Sequence, residues 1–260
     1  MFAQERHQAI SDLLERQHKA TVAELQSALG ASPATLRRDL AELETGGKVI
    51  RVRGAVVHPA YFRGEPTLAQ KSRAASGAKR DIAAAAASLV TPGSTVFIDA
   101  GSTCLALGQL LLTRSDVTIV THSLPLVALA AQEKVAAKVI CLGGEVRAVS
   151  GALVDSLSLA WLKHMYADWC FIGASGLSAN EGASTTELRE AAMKQALLQR
   201  AKHKVLLADE RKWDKPATVL FAPWNEFEAW VTDADPVAVR AVKKLGPRVL
   251  SVRKEQRQNG

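Results

Sequence analysis

The sequence has few cysteines, few aromatics, no long apolar run and no familiar metal or nucleotide motif. Its three cysteines, Cys104, Cys141 and Cys170, are odd in number, far apart and flanked by apolar residues. That pattern argues against a disulfide framework or a zinc knuckle and predicts buried thiols in a reducing cytosol. The longest apolar stretches, Ile82 to Val90 and Leu124 to Ala131, fall well short of the ~20 residues that cross a bilayer, so no membrane span is expected. The N-terminal string MFAQERHQAISDLLERQHK is charged every few residues, leaves no apolar core for a signal peptide, and predicts a cytoplasmic chain. The six histidines make no HxxxH or HExxH pair, so neither a metal nor a cofactor is called for. Walker, GxGxxG and GxSxG strings are missing too, Gly173-Ala174-Ser175-Gly176-Leu177 breaking the nucleophile elbow at its last position.

What is present is an ordinary globular balance. The chain has 260 residues, 48% hydrophobic and 23% charged, enough for a packed core and a prior of two domains. The net charge of +7 raises the expectation of a polyanionic partner. Its distribution is uneven: from Met1 to His58 eight bases face seven acids, whereas from Val237 to Gly260 seven bases face only Glu255. Most of the excess therefore sits toward the C-terminus, which ends in a basic tail, 251–260.

Organisation along the chain is legible from periodicity. Ile10, Leu13 and Leu14 recur at helical spacing within Gln4 to Glu15. Thr21 with Glu24 three residues on is a capping box opening a short helix, Val22 to Leu29, which Gly30 ends. Ser32 caps a third helix with Pro33 at its first position and Leu36, Leu40 and Leu43 as its buried row. Val49 to Val57 alternates well enough for a two-stranded wing folded near Gly54. The second and third helices form a helix-turn-helix, whose third helix would turn Ala34, Thr35, Arg37 and Arg38 toward the major groove. Arginine can grip guanine or a phosphate through a fork, and Thr35 can serve a phosphate or a thymine methyl. Lys48, Arg51 and Arg53 add charge on the wing, suited to phosphates or a minor groove. The bland alternative is a solvated hairpin whose arginines pair with Asp39, Glu42 and Glu44.

The string Ser32-Pro33-Ala34-Thr35-Leu36-Arg37-Arg38-Asp39-Leu40, followed by Leu43-Glu44 and Arg51-Val52-Arg53-Gly54-Ala55, resembles the N-terminal winged helix-turn-helix of the DeoR family of bacterial transcription regulators. That family usually carries two glycines before the wing alanine, where this chain has one.

Residues 58–78 mix Pro, Gly, Ser and basic residues without periodicity and are expected to be a linker between a DNA-binding domain, 1–57, and a second domain, 79–250. The second domain alternates helix and strand, with apolar strands at Thr95 to Asp99, Val117 to Thr121, Lys138 to Leu142, Trp169 to Gly173, Lys204 to Ala208 and Ala229 to Thr232. Such a pattern predicts a mostly parallel α/β sheet. In a parallel sheet ligands bind beyond the carboxyl ends of the strands, and polar residues gather there. Asp99, Gly101, Ser102 and Thr103 form a small-residue loop into a helix N-terminus, a setting that favours a phosphate. Thr121, His122 and Ser123 follow the next strand, and Gly143, Gly144 and Glu145 the third. Arg147 could clamp a phosphate or merely pair with Glu145 or Asp155. Glu187, Glu190 and Lys194 share helical spacing, and Asp209 with Lys212 closes the last long strand. Five polar strand ends point to a hydroxylated, phosphorylated small molecule.

From about Glu65 to Asp233 this half resembles the DeoR-family effector domain, whose fold is similar to ribose-phosphate isomerases, glucosamine-phosphate deaminases and coenzyme A transferases. The matching positions are Asp99, Gly101, Ser102, Thr103, Thr121, Ser123, Gly143, Gly144, Arg147, Gly151, Asp168, Gly173, Gly176, Gly182, Glu190, Lys194, Asp209 and Lys212. The resemblance implies a DNA-binding regulator, more often a repressor, with operator DNA and a sugar phosphate as partners and an oligomeric state. His122 stands where the family has asparagine, and Glu210-Arg211 where it has two serines, so the effector is expected to depart from the commonest ones. Two other readings stay open: a phosphosugar isomerase with Asp99, Glu187, Glu190 or Asp209 as base, and an adaptor that uses the basic tail.

Overall fold

A computed structural model describes residues 2–52, 54–59, 64–132 and 134–253. The chain separates into two compact units, Met1–Ser76 and Gly77–Gly260.

In the first unit α1 (Ala3–Gln17) leads through β1 (Lys19–Thr21) to α2 (Val22–Leu29) and α3 (Pro33–Thr45), then to β2 (Ile50–Val52) and β3 (Ala55–Val57). The local chemistry places these boundaries. The Thr21 hydroxyl accepts the Glu24 N–H at 3.1 Å while the Glu24 carboxylate accepts the Thr21 N–H, and Ser32 caps α3 by accepting the Thr35 N–H. Ile10, Leu14, Leu25, Leu36, Leu40 and Val56 are buried together as the core. The wing has three strands rather than two, because β1 pairs with β3. The stretch expected to be an aperiodic linker holds α4 (Leu68–Arg73), which Thr67 caps in a box with Gln70. It is tied to this unit by an Arg73–Glu44 ion pair and by Gln70 donating to the Arg51 carbonyl. A six-residue polar helix has too little hydrophobic periodicity to stand out in a sequence.

The second unit is built on a seven-stranded sheet, all of whose pairings are parallel. Its strands are β4 (Thr95–Ile98), β5 (Thr118–Thr121), β6 (Lys138–Cys141), β9 (Ala167–Gly173), β12 (Ala201–Leu207), β14 (Ala229–Thr232) and β15 (Arg248–Ser251). Helices α5 (Ser76–Ala87), α6 (Ser102–Leu111), α7 (Leu124–Gln132), α8 (Ser156–Leu162), α9 (Leu188–Gln199) and α10 (Pro236–Lys243) cover it. Both faces of the central strands are dry, and those strands show it residue by residue. Val96 and Ile98, Phe171, Val205 and Leu207 pack on one side with Ile82, Leu107 and Leu111; Phe97, Cys170 and Ile172, and Leu206 pack on the other with Met193, Leu197 and Trp230.

The strand order is β15-β14-β12-β9-β4-β5-β6. The chain therefore starts at β4, winds outward to β6, returns to β9 on the opposite side of β4 and winds outward again. The reversal between β4 and β9 opens a crevice at their carboxyl ends, the place where open α/β sheets bind ligands. A small antiparallel sheet of β10 (Gly176–Ser178), β11 (Gly182–Thr185) and β13 (Val219–Pro223), and a hairpin of β7 (Val146–Arg147) and β8 (Ala152–Leu153), grow from the loops. Cys104 and Cys170 are buried as expected, but Cys141 is exposed because β6 is the edge strand.

Candidate functional site

On the first unit the question is where the α3 cations go. Asp39, the acid expected to quench them, is buried and turned away: Arg6 grips it at 2.7 and 3.0 Å, and His7 Nε2 lies 3.1 Å from it. The Arg6 hydrogen bond is the chief reason the Asp39 carboxyl is held below its ordinary pKa. Glu44 is taken by Arg73. Arg37 and Arg38 are left exposed on α3 with no acidic partner among the described residues. Thr35 is half-buried, its hydroxyl engaged with the Ser32 hydroxyl at 2.8 Å, and Arg51 is half-buried on β2. Arg53 lies outside the described residues. The face thus carries exposed guanidinium forks on a helix clamped from behind, which suits a phosphate-bearing duplex.

In the second unit the crevice between β4 and β9 is organised by Asp99, whose carboxylate is fully buried. One oxygen accepts from Lys194 Nζ at 2.5 Å and from the Gly173 N–H at 2.9 Å; the other lies 3.0 Å from His122 Nε2. Lys194 also donates to the Gly173 carbonyl at 3.1 Å. Burial alone would raise the Asp99 carboxyl, but the Lys194 charge and the His122 contact outweigh it and hold the pKa below the ordinary value. Burial likewise opposes charge on Lys194, and the charges of Asp99 and Glu190 hold its pKa above the ordinary lysine value. Asp99 is therefore an ionised staple between strands, and Thr121 is another. The Thr121 hydroxyl donates to the Ile98 carbonyl at 2.7 Å and accepts the Ser123 N–H at 3.0 Å.

The surfaces left for a ligand belong to their neighbours. Gly101, with φ at 148°, is the N-cap of α6 and supplies no side-chain cap, whereas Thr21, Ser32, Asp155, Glu187 and Asp235 cap their helices with side chains. The amides of the first turn of α6 point beyond the sheet, with the positive end of the helix dipole behind them. The Ser102, Thr103 and Ser123 hydroxyls have no hydrogen-bond partner among the described residues, Thr103 and Ser123 being buried, and the Thr186 hydroxyl is buried without a partner. Glu145 and Asp155 are the two partners considered from sequence for Arg147, and the structure adds a third acid. The Arg147 guanidinium meets Glu190 at 3.1 Å, and Glu190 also accepts from the Thr185 hydroxyl. Glu145 meets Arg189, and Asp155 caps α8. Glu187 does not share the buried face of Glu190 and Lys194 but caps α9.

The last candidates form a separate group. Asp209 at the end of β12 is gripped by Arg211 through two contacts at 2.9 and 3.1 Å, and the adjoining 3-10 turn carries Lys212, whose N–H donates to the Asp209 carbonyl. Burial would raise the Asp209 carboxyl, but the Arg211 hydrogen bond and the charges of Arg211, Lys212 and Lys79 hold it low. The buried Lys79 on α5 is a participant that sequence reasoning missed, since a lysine opening a helix reads as solvated. Gly173, singled out from sequence only as a matching strand-end glycine, serves through its backbone, its N–H donating to Asp99 and its carbonyl accepting from Lys194.

Against known proteins, residues 6–60 match the DeoR-like helix-turn-helix domain and residues 74–234 the DeoR C-terminal sensor domain. The chain is 33% identical over 252 residues to the HTH-type transcriptional regulator YgbI of Escherichia coli, covering 97% of this chain and 98% of that one. It is 30% identical over 232 residues to the E. coli glycerol-3-phosphate regulon repressor, covering 89% and 91%, and 29% identical over 236 residues to the Bacillus subtilis repressor GlcR, covering 91% and 90%. Among solved structures it is similar to ribose 5-phosphate isomerase A from Neisseria gonorrhoeae, with TM-score 0.38, 17% identity and 52% of each chain covered. A second similarity is to translation initiation factor eIF-2B from Pyrococcus horikoshii, with TM-score 0.45, 14% identity and 88% and 86% covered.

Proposed function

The chain belongs to the DeoR family of helix-turn-helix transcription regulators, and from that premise we propose that it is a cytoplasmic repressor of a carbohydrate-metabolism operon whose grip on operator DNA is set by a phosphorylated sugar. The observation that carries the effector half is the uncapped N-terminus of α6, with free Ser102 and Thr103 hydroxyls, placed over the β4/β9 reversal by the buried Asp99–Lys194 staple. A phosphate there would take the first-turn amides of α6 together with Ser102, Thr103 and Ser123, while the sugar hydroxyls would reach toward the Arg147–Glu190 pair and the Thr186 hydroxyl. Asp99, Thr121 and Lys194 act as the frame that positions Gly101 and its neighbours, and Lys212 borders the far side with Asp209. The domain senses rather than catalyses: Asp99, the base an isomerase would need at this place, is fully enclosed with both oxygens engaged.

The DNA half rests on Arg37 and Arg38, with Thr35, Arg51 and Arg53 as further contacts. An oligomer would present two such heads to half-sites spaced by whole turns of DNA. An effector can switch binding only by preferring one arrangement of the heads to another.

Two experiments test this. A thermal-shift screen against sugar phosphates and their unphosphorylated parents should show stabilisation by a phosphorylated member only, since a ligand selective for the native state raises Tm; Thr103→Ala should abolish that shift. Arg37→Ala and Arg38→Ala should weaken operator binding and flatten its salt dependence, by about one unit of log–log slope for each phosphate no longer neutralised. Full operator affinity in both variants would remove α3 as the reading helix.

A further inference from the structure

His122, fully enclosed at the end of β5, has more to do than fill space. Its ring is held at both nitrogens. Nδ1 lies 3.2 Å from the Leu153 carbonyl, an acceptor only, so this nitrogen is assigned a proton. Nε2 faces two groups of opposite kind at nearly equal distance: the Ala100 N–H at 3.1 Å, which needs a lone pair, and the Asp99 carboxylate at 3.0 Å, which needs a proton. Each protonation state of the ring therefore satisfies one neighbour and fails the other. A neutral ring accepts from Ala100 and presents a lone pair to the carboxylate. A charged ring donates to Asp99 and leaves the Ala100 N–H without its acceptor.

Ala100 immediately precedes the Gly101–Thr103 turn. The same histidine is bound to the hairpin that carries Arg147, through Leu153 N–H donating to the His122 carbonyl at 2.8 Å, and the neighbouring Leu124 N–H donates to the Gly151 carbonyl at 2.9 Å. The charged groups around it are Asp99 directly, Lys194 on the other oxygen of Asp99, and the Arg147–Glu190 pair one link beyond.

We propose that His122 is a proton-coupled positioning residue of the effector site: a dianionic phosphate at the α6 N-terminus draws a proton onto Nε2, which moves its hydrogen bond from Ala100 to Asp99 and releases the Ala100 amide toward the phosphate loop. It rests on the assignment of that loop as the phosphate site. The proton comes from solvent, no covalent bond within the protein changes, and one unit of positive charge is added beside the incoming anion. By linkage the proton and the anion each tighten the binding of the other. An asparagine at this position cannot take up a proton, so a chain with asparagine here would bind phosphate without this coupling.

Two measurements on the full-length protein judge it. In ¹⁵N NMR without ligand, the Ala100 amide should shift with pH in step with the His122 ring nitrogens, and His122→Asn should abolish the movement. In calorimetry with inorganic phosphate, and then with glycerol 3-phosphate and ribose 5-phosphate, repeated in buffers of different ionisation enthalpy, the wild type should take up more protons than His122→Asn, by up to about one per chain. His122→Gln, which offers Nε2-like reach without titration, should retain more phosphate affinity than His122→Asn yet show the same loss of proton uptake. An Ala100 amide that ignores pH overturns the switch whatever binds, and equal proton uptake in wild type and His122→Asn overturns the coupling. Failure of every phosphate to bind, with Ala100 still titrating, overturns instead the assignment of the loop and the coupling that rests on it.

Discussion

Replacing Lys194 by methionine tests the idea that the crevice is held by a buried charge pair. Lys194 and Asp99 are 5% and 0% exposed, and the lysine supplies the nearest full positive charge to the carboxylate. Methionine keeps the length of the chain and its packing against the core but removes the cation. The carboxylate retains only the Gly173 N–H and His122. Breaking a buried pair by deleting one partner costs about 3–5 kcal/mol, a shift of about a hundred- to several-thousand-fold in the folding equilibrium. All five tryptophans, Trp161, Trp169, Trp213, Trp224 and Trp230, lie in the second unit. Urea titration followed by tryptophan fluorescence therefore reports on that unit alone. In the wild type the Asp99 carboxyl is held low, so its stabilisation is present above the unfolded carboxylate pKa of about 3.9 and is lost as pH falls through the lower folded value. The Lys194 contribution is full below about pH 10.4 and is lost as pH rises through its higher folded value. In the variant burial is opposed only by His122 and the Gly173 N–H, without the Lys194 charge, so the Asp99 carboxyl moves up from its wild-type position and the deficit relative to wild type should shrink as pH is lowered. Adding Asp99→Asn to Lys194→Met should restore part of the loss, with a coupling above about 1 kcal/mol. A deficit under about 1 kcal/mol at neutral pH, or one that is the same at every pH, would refute the reasoning.

Other outcomes follow from single features. Arg6→Met leaves the buried Asp39 with His7 as its nearest remaining partner and should destabilise the first unit, seen as a lower-melting far-UV CD transition with unchanged tryptophan fluorescence. That loss should lessen at low pH, because the Asp39 carboxyl is held below its ordinary value and its contribution disappears on protonation. Gly182→Ala would put a Cβ 2.2 Å from the Ala222 carbonyl oxygen at a φ of 133°, and should cost about 1–3 kcal/mol or more in the same urea assay; wild-type stability would show that β11 and β13 do not approach as described. Of the three thiols, only Cys141 should react with a thiol reagent in the native protein. Burial first of all, and then the Asp99 charge, push the Cys104 and Cys170 thiols well above the ordinary cysteine pKa, so a second fast-reacting thiol would contradict the packing around Asp99.

Local chemistry was enough to read much of this protein from its residues in order. Caps and breakers at Thr21, Gly30, Ser32 and Pro33 place the helix-turn-helix, because a cap needs only a hydroxyl three residues from an amide. Six of the seven parallel strands are legible as apolar runs, because burial on both faces makes most positions of the central strands hydrophobic. The polar residues at strand ends marked the candidate site for the same reason.

What each polar residue does there was decided only by tertiary structure. Asp99, Gly173 and Lys194 lie up to 95 residues apart in sequence and meet because β9 inserts beside β4, a strand order that no local signal encodes. Arg147 meets Glu190, 43 residues away, and Asp39 turned inward to Arg6 and so left Arg37 and Arg38 without an acidic partner among the described residues. His122 could be recognised as a departure from its family, but not that its Nε2 stands between a donor and an acceptor. Sequence determines which groups exist and which secondary structure carries them. Which charges are engaged in the frame and which remain for a ligand depends on long-range pairing and burial, and here those were settled by the topology of the sheet.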